Sequence, residues 1–266
     1  MSGLDLDSAL DLLRRGEITV EGRLVDASNA TLFCEILLEG VEERCVYKPV
    51  AGERPLWDFP DGTLAGREVA SYAVSAASGW DVVPPTVLRE GPFGPGMVQL
   101  WLDVDSSVEL VDVVDPERVP TGWLRVLDAL GSGGRPVVLA HADDDRLRRM
   151  AVLDTVLNNA DRKGGHVLPL DNGRVYGVDH GVTFNTEPKL RSVLWGWAGE
   201  PLRPEERDVL RRLRRDLDEG ALGVELGGHL TRGEVRATVR RIDRLLSEGR
   251  LPFPVEGWPA IPWPPF

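Results

Sequence analysis

The amino-acid sequence predicts an α+β fold in two lobes, and three observations support this. Five stretches with strand-like composition lie within the first 102 residues, with one helical stretch after the third of them. Beyond residue 102, the clearest periodic stretches have the 3.6-residue spacing of amphipathic helices. The chain has 266 residues, which is enough for two lobes that share a cleft. We therefore expect a five-stranded antiparallel sheet in residues 1–102 and a mainly helical lobe in residues 103–266.

The composition excludes several classes of protein. Apolar residues make up 42% of the chain and charged residues 28%, which is typical of a globular protein. The net charge of −12 argues against nucleic acid or an anionic membrane surface as the main partner. No apolar run approaches the roughly 18 residues of a spanning helix, and the first ten residues do not resemble a signal peptide. Cys34 and Cys45 lack metal-site spacing and are expected to be buried free thiols. These features predict a cytoplasmic protein without integral membrane association.

The first lobe begins with a predicted amphipathic helix over residues 5–15. The five strands are predicted at residues 18–25, 31–38, 43–50, 82–89 and 96–102. A helix with Glu68 in its middle follows the third strand over residues 63–78, after an irregular insertion. Alternation in the third strand places Val46 and Lys48 on one face of the sheet. Lys48 is one of only three lysines, and an edge-strand lysine that deters aggregation is the alternative interpretation.

The second lobe begins with the poorly patterned residues 104–140, which contain a possible helix at residues 122–130. A helix with an apolar stripe is predicted from near Asp143 to residue 157, and His141 just before it is expected to be a loop or capping residue. Two further amphipathic helices are predicted at residues 204–219 and 231–249. The Pro-rich end from residue 251 onward is expected to lie extended on the body of the protein.

Residues 151–184 combine the end of the apolar-striped helix, a polar loop and a hairpin with Asn172-Gly173 as its turn. Chemistry-bearing side chains recur here at Asp154, Asn159, Asp161, Arg162, His166 and Asp179. A loop carboxylate followed by a hairpin-borne acid can orient a hydroxyl group and hold a metal ion. The alternative is a polar connection in which Asp and Asn serve only as turn residues.

The hairpin also predicts a contact between two of these residues. With Asn172 and Gly173 as a two-residue turn, His166 lies directly opposite Asp179, with Cβ atoms about 4.5–5.5 Å apart. That spacing suits two ligands of one cation. Pro169 is the weak point of this register, because it cannot donate a ladder hydrogen bond.

This stretch resembles the catalytic core of the phosphatidylinositol 3/4-kinase-like family and, more distantly, the HipA toxin kinases. The family pattern has an Asp on a helix, an Asn two residues before a loop Asp-Arg, a polar metal ligand four residues after that Arg, and an Asp that ends the next hairpin. There are two departures: the ligand is usually Asn but is His166 here, and Lys163 replaces the His that often follows the Asp-Arg pair.

The resemblance implies a two-lobed protein-kinase-like fold that binds ATP between its lobes. It places Lys48 at the nucleotide phosphates, with Glu68 of the following helix pairing with that lysine. The connection that contains Ser28 and Asn29 would cover the phosphates, although it lacks glycine and an ordinary hairpin turn is an equal alternative. The end of the fifth strand would be the hinge that reads adenine through its backbone, with Leu100, Trp101 and Leu102 as the apolar bed, although all three would serve equally well as core residues. The candidate hinge residues are Gln99, Leu100, Trp101 and Leu102.

For catalysis, the resemblance implies that Asp161 orients the acceptor hydroxyl while Asn159 and Arg162 hold its loop. Asp179 would be the main ligand of Mg²⁺ or Mn²⁺ and His166 a second one, which favours Mn²⁺ because imidazole suits it better than Mg²⁺. A His166 that only hydrogen-bonds the loop is the alternative.

Two functions remain open from the sequence. The first is an ATP-dependent phosphotransferase acting on a hydroxyl acceptor, with a protein or small polyol favoured over a membrane lipid. The second is a nucleotide-binding pseudokinase that acts as a regulatory module, which His166 and the glycine-free connection favour. Trp195 and Trp197 could form an acceptor platform, but a core plug is favoured.

Overall fold

The computed structural model describes residues 4–24 and 29–266, apart from the side chain of Ser132. The helices and strands, in chain order, are α1 (Leu6–Arg15), β1 (Glu17–Arg23), β2 (Leu32–Leu38), β3 (Val41–Pro49), α2 (Leu64–Ser78), β4 (Thr86–Gly91), β5 (Gly94–Leu100), β6 (Val111–Val114), β7 (Trp123–Leu130), β8 (Pro136–Ala142), α3 (Asp145–Leu157), β9 (Val167–Pro169), β10 (Val175–Gly177), α4 (Pro204–Glu219), α5 (Ala221–Leu226) and α6 (Arg232–Glu248).

A five-stranded antiparallel sheet forms the first lobe, with the strand order β1-β2-β3-β5-β4. The predicted fold class is therefore confirmed. One face packs against α1 around a cluster that includes Cys34 and Cys45, which are both buried and free of disulfide bonds. Val46 and Lys48 alternate with these core residues on β3, and Val46 pairs in register with Gln99 of β5. These three side chains therefore lie on the opposite face of the sheet, toward the second lobe.

The second lobe is organised around α3, because nine of its 13 residues are buried. Its apolar side chains form one cluster with those of α4, α5 and α6. A helix buried this completely can carry charged groups only if they are paired. Arg148 Nε lies 2.7 Å from Glu206 Oε1 of α4, and Asp154 Oδ2 lies 2.8 Å from Arg162 Nε. The boundary between the lobes near residue 102 stays a prediction.

The predicted helix at residues 122–130 is wrong, since this segment is β7. It pairs with β8 in a three-stranded antiparallel sheet of order β6-β8-β7. Most side chains of β7 are exposed or half-exposed, so the strand lacks the alternation of buried and exposed residues that sequence patterns detect. His141 is also not a loop or capping residue, because it is a fully buried part of β8. Its ring packs against Trp197, with centroids 4.4 Å apart.

The predicted hairpin register is wrong by one residue. Leu168 pairs with Tyr176, and Leu170 N donates to Arg174 O at 2.9 Å, so the turn contains three residues instead of two. Pro169 gives the physical reason. In the observed register it pairs with Val175 at a position between two hydrogen-bonded pairs, where no N–H is needed. The predicted register would have required Pro169 to donate.

Within residues 4–24 and 29–266, no helix is both long and apolar enough to cross a bilayer.

Candidate active site

A cleft of about 490 Å³ lies between the cleft-facing side of the five-stranded sheet and the β9–β10 hairpin. Nine of the residues predicted for the site line it: Asn29, Lys48, Gln99, Leu100, Trp101, Leu102, Asp161, His166 and Asp179. Glu68, Asn159 and Arg162 are buried next to this surface. Ser28, which was also predicted to cover phosphates, lies outside the described residues. The structure thus brings residues that are up to 150 positions apart in the chain to one cavity.

Lys48 stands at the centre of a charged triad. Its Nζ lies 2.7 Å from Glu68 Oε1 and 2.9 Å from Asp179 Oδ1. Glu68 is 1% exposed, and its other oxygen accepts a 2.8 Å hydrogen bond from the backbone N–H of His180. Burial alone would lower the pKa of Lys48, but the two carboxylates outweigh it and hold that pKa above its ordinary value. Lys48 is therefore a fixed positive charge that faces the cleft.

The loop before Asp161 is fixed by a network around Asp154 of α3. Arg162, which is fully buried, donates from Nε to Asp154 Oδ2 at 2.8 Å and from Nη2 to Oδ1 at 3.0 Å. Asn159 Nδ2 also donates to Asp154 Oδ1, while Asn159 Oδ1 accepts from the backbone N–H of Asp161 at 3.0 Å. Arg162 further donates to the carbonyl of Val178, which precedes Asp179. The network thereby joins the loop of Asp161 to the hairpin end that carries Asp179.

Asp161 lines the cleft and has two basic residues near its loop. Lys163 Nζ lies 3.5 Å from its Oδ2, and Arg191 lies beside the same loop, with its Nε donating to the carbonyl of Ala160 at 2.5 Å. Burial raises the pKa of Asp161, although Lys163 and Arg191 oppose this. The carboxylate is 26% exposed, so it remains accessible from the cleft.

Asp179 and His166 meet even though their predicted register is wrong. His166 Nε2 lies 3.5 Å from Asp179 Oδ2, and Asp179, two residues after the end of β10, has a positive φ of 61°. The other ring nitrogen, His166 Nδ1, is buried without a hydrogen-bond partner in the described parts of the chain. Burial lowers the pKa of His166 to about 4, so the ring is neutral near pH 7 and has a free lone pair. The positive charge of Lys48 holds the pKa of Asp179 well below its ordinary range.

These two side chains fit a divalent cation as a partial ligand set. A carboxylate oxygen and a neutral imidazole nitrogen 3.5 Å apart can bind one cation from adjacent positions. Within residues 4–24 and 29–266, no cluster of three or more His, Cys, Asp or Glu side chains is arranged as a metal site. A cation at Asp179 and His166 would therefore need further ligands, such as nucleotide phosphates and water.

The pKa of His166 leads to a pH-dependent stability. Histidine in an unfolded chain has a pKa of about 6.5. As the pH decreases, the unfolded chain therefore binds a proton at His166 at a higher pH than the native protein does. The free energy of unfolding is therefore expected to fall as the pH decreases from about 6.5 to about 4. The fall should be smaller in His166→Asn, while the other histidines contribute equally to both proteins. Urea unfolding at several pH values would measure the difference, and parallel curves would contradict the buried neutral ring.

In the predicted hinge segment, some backbone N–H groups are bonded within the sheet and one is not. Leu100 N–H donates to Pro85 O at 3.0 Å and Trp101 N–H to Arg44 O at 2.9 Å, so both are occupied by the sheet. The N–H of Leu102 has no protein partner in the part of the chain that the structure describes. The side chain of Leu102 packs with the β9–β10 hairpin, whereas Leu100 belongs to the core of the first lobe. Leu102 and the hairpin thus form an apolar cluster beside the predicted hinge.

The two tryptophans after the hairpin and the Pro-rich C-terminal end pack against the second lobe. Trp197 is 1% exposed and is a core residue, and Trp195 Nε1 donates to Ala260 O at 2.8 Å. The Pro-rich end lies on the body as expected, and Pro265 O accepts from Gly164 N at 2.8 Å, but a turn at residues 256–257 and bends after it interrupt the expected extended backbone. The sequence reasoning missed Arg191 and His180. The Nε2 atom of His180 lies 2.7 Å from Arg162 Nη2. The sequence signal that could have identified His180 is its place directly after Asp179.

A casein kinase and a Fam20 protein are among the solved structures that resemble this fold. The Golgi casein kinase with Mn/ADP bound aligns with a TM-score of 0.55 and 15% sequence identity, covering 91% of this chain and 75% of that one. The hydra Fam20 structure with sugar aligns with a TM-score of 0.57 and 14% identity, covering 93% of this chain and 88% of the other. At such identities the likeness concerns the fold alone, which is kinase-like.

No protein-family model matches the sequence. Protein Rv2133c of Mycobacterium tuberculosis is 50% identical over 264 residues, which cover 96% of this chain and 94% of that protein. Identity at this level over nearly the full length of both chains shows common descent, and the chain belongs to the family of Rv2133c.

Proposed function

We propose that this protein is an ATP-dependent phosphotransferase that moves the γ-phosphate to a hydroxyl acceptor. The observation that carries the proposal is the Lys48–Glu68–Asp179 triad, which lies in the same cleft as Asp161. Phosphoryl transfer needs groups that neutralise phosphate charge and a carboxylate that orients the attacking hydroxyl. The bound Mn and ADP in the Golgi casein kinase, which shares the fold, support nucleotide and divalent metal binding.

In this mechanism, ATP occupies the cleft with its base at the hinge and its phosphates near Lys48. Lys48 offsets phosphate charge, and Glu68 keeps its ammonium group in place. Asp179 and His166 would hold Mg²⁺ or Mn²⁺, which when bound neutralises the phosphate oxygens as a Lewis acid. Asn29, at the edge of the cleft, is proposed to face the phosphates.

Asp161 is proposed to accept a hydrogen bond from the acceptor hydroxyl and to aim it at the γ-phosphate. Its backbone is fixed by Asn159, and Arg162 holds the loop from below. Lys163 lies 3.5 Å from Asp161 on the cleft side, where its charge would stabilise the transferring phosphoryl group. This lysine replaces the histidine of the resembled motif.

The acceptor is proposed to be a protein or a small polyol. The net charge of −12 makes an anionic lipid surface an unfavourable partner, and nucleic acid is unfavourable for the same reason. The resemblance to phosphatidylinositol 3/4-kinases rests on the loop and hairpin motif, so we propose that kinship for the catalytic loop and not for the substrate. A cytoplasmic location is likewise proposed from the sequence.

A nucleotide-binding pseudokinase is the second candidate, and the imidazole of His166 at a metal-ligand position favours it. One experiment distinguishes the phosphotransferase from the pseudokinase. The pure protein is incubated with γ-¹⁸O-labelled ATP, metal and cell extract, and mass spectrometry detects labelled products. Labelled products that require this protein support transfer. Nucleotide binding without any labelled product supports the pseudokinase.

Replacing Lys48 with alanine is expected to weaken ATP binding roughly tenfold or more, because a charge-assisted contact to phosphate is lost. Isothermal titration calorimetry of the folded variant measures this. Glu42→Ala, an exposed change on the same strand, is the matched control. Since Lys48→Ala leaves Glu68 buried without its partner, Lys48→Met combined with Glu68→Gln tests the site if the single variant is unstable. Unchanged affinity and turnover would remove Lys48 from the phosphate site.

A further inference from the structure

Gln99 is a buried polar side chain at the back of the cleft. It is 4% exposed and lies on β5, in register with Val46 and on the same face of the sheet as Lys48. Gln99 is the first of the predicted hinge residues, and Met97, two positions before it, pairs with Lys48 of the charged triad, so Gln99 stands at the end of the predicted hinge that lies nearest the triad. In a cleft that holds ATP, this is the end where the base lies.

The hydrogen bonds around Gln99 fix the orientation of its amide. Thr86 Oγ1 donates its single proton to Pro84 O at 2.8 Å. Toward Gln99, 2.8 Å away, the threonine oxygen can therefore only accept, and the group that faces it must be Gln99 Nε2. The carbonyl oxygen Oε1 then points away from Thr86. It has no protein partner within the described residues and is not among their buried unsatisfied atoms, which leaves it at the surface of the cleft.

We propose that Gln99 Oε1 accepts a hydrogen bond from the 6-amino group of adenine and thereby selects 6-aminopurine nucleotides over 6-oxopurine nucleotides. Adenine presents a donor at this position, whereas guanine and hypoxanthine present an acceptor. Because the bond to Thr86 holds Nε2 in place, turning the amide so that Nε2 takes the position of Oε1 toward a 6-oxo base would break that bond. An oxygen facing an oxygen leaves both groups unpaired in a buried place, which is unfavourable.

This inference rests on the proposed binding of a purine nucleoside triphosphate in the cleft. It concerns base selection alone, so its test uses binding and needs no acceptor. Three probes differ only in the base: ATP, purine riboside triphosphate, which has hydrogen at position 6, and ITP, which has oxygen there. Their dissociation constants are measured by calorimetry with the full chain and Mn²⁺, in the wild type, in Gln99→Leu and in Thr86→Val.

The ratio of the affinities for ATP and purine riboside triphosphate is expected to fall about three- to tenfold in Gln99→Leu, while purine riboside triphosphate itself binds nearly as before. Hydrogen bonds from the hinge backbone to the base contribute equally to the affinity ratio in the wild type and in Gln99→Leu. A change in the ratio therefore reports on Gln99 alone. In Thr86→Val the amide is free to turn, and the preference for ATP over ITP should narrow although Gln99 is still present. Thr86 touches the base only through Gln99, so this second variant tests its role as a positioning residue.

An unchanged ATP to purine riboside triphosphate ratio in Gln99→Leu would overturn the inference while leaving nucleotide binding intact. A preference for ATP over ITP that persists unchanged in Thr86→Val would overturn the orientation argument. If no nucleotide binds the wild type, both this inference and the proposed function fail.

Discussion

Asp161→Asn is expected to reduce turnover about 10²- to 10⁴-fold while the affinity for ATP stays nearly constant. The substitution keeps the size of the side chain and removes only its charge. The loop itself should not move, because Asn159 Oδ1 holds the backbone N–H of residue 161 and not its carboxylate. Steady-state kinetics with an identified acceptor, together with calorimetry for ATP, would separate the two effects.

Asp171→Asn is the matched control, since it makes the same chemical change at an exposed position in the turn between β9 and β10. The pH dependence gives a second check. Burial raises the pKa of Asp161, and the group must be ionised to orient the hydroxyl. Wild-type turnover should therefore fall as the pH decreases through this raised pKa. Wild-type activity in Asp161→Asn would show that Asp161 is not the orienting carboxylate.

The parts of the fold that were predictable are those with a strong local pattern. Apolar residues recur about every second position in the five strands and about every 3.6 positions in α2. The buried α3 also has an apolar stripe that is visible in the sequence. The strand β7 was not predicted because most of its side chains are exposed and show no alternation of buried and exposed residues. It is held in the sheet by backbone pairing with β8. Its pairing depends on residues outside its own segment, which a local pattern does not contain.

The candidate site divides in a similar way. The family resemblance predicted that Lys48 pairs with Glu68, which lies 20 residues further along the chain, and the structure places Lys48 Nζ 2.7 Å from Glu68 Oε1. Their roles, like those of Asp161 and His166, stay predictions. Arg191 was not foreseeable, because it reaches Ala160 only after the chain has folded back over 31 residues. The hairpin shows that one proline can change a register: the sequence drew attention to Pro169 but could not show that the turn would gain a residue.

Asp179→Asn is expected to reduce metal-dependent turnover at least about 10²-fold, because a metal ion supplies several kcal/mol of charge stabilisation to phosphoryl transfer. The fold should tolerate the change. Asp179 is 50% exposed, and Lys48 keeps its shorter contact with the buried Glu68. The loss of stability is therefore expected not to exceed about 1 kcal/mol, as for other solvent-exposed ion pairs. Thermal unfolding measures stability, and titration of Mn²⁺ in the presence of ATP measures metal binding.

His166 is expected to determine which metal is preferred in the same experiment. If its neutral Nε2 is the second ligand, Mn²⁺ should support binding or turnover at least as well as Mg²⁺ in the wild type, because Mg²⁺ prefers oxygen. In His166→Ala the advantage of Mn²⁺ should disappear while Asp179 still binds either ion weakly. In Asp179→Asn both ions should fail, since the only carboxylate of the pair is gone. An unchanged metal preference in His166→Ala would assign this imidazole to the support of the loop and leave Asp179 as the sole protein ligand of the two.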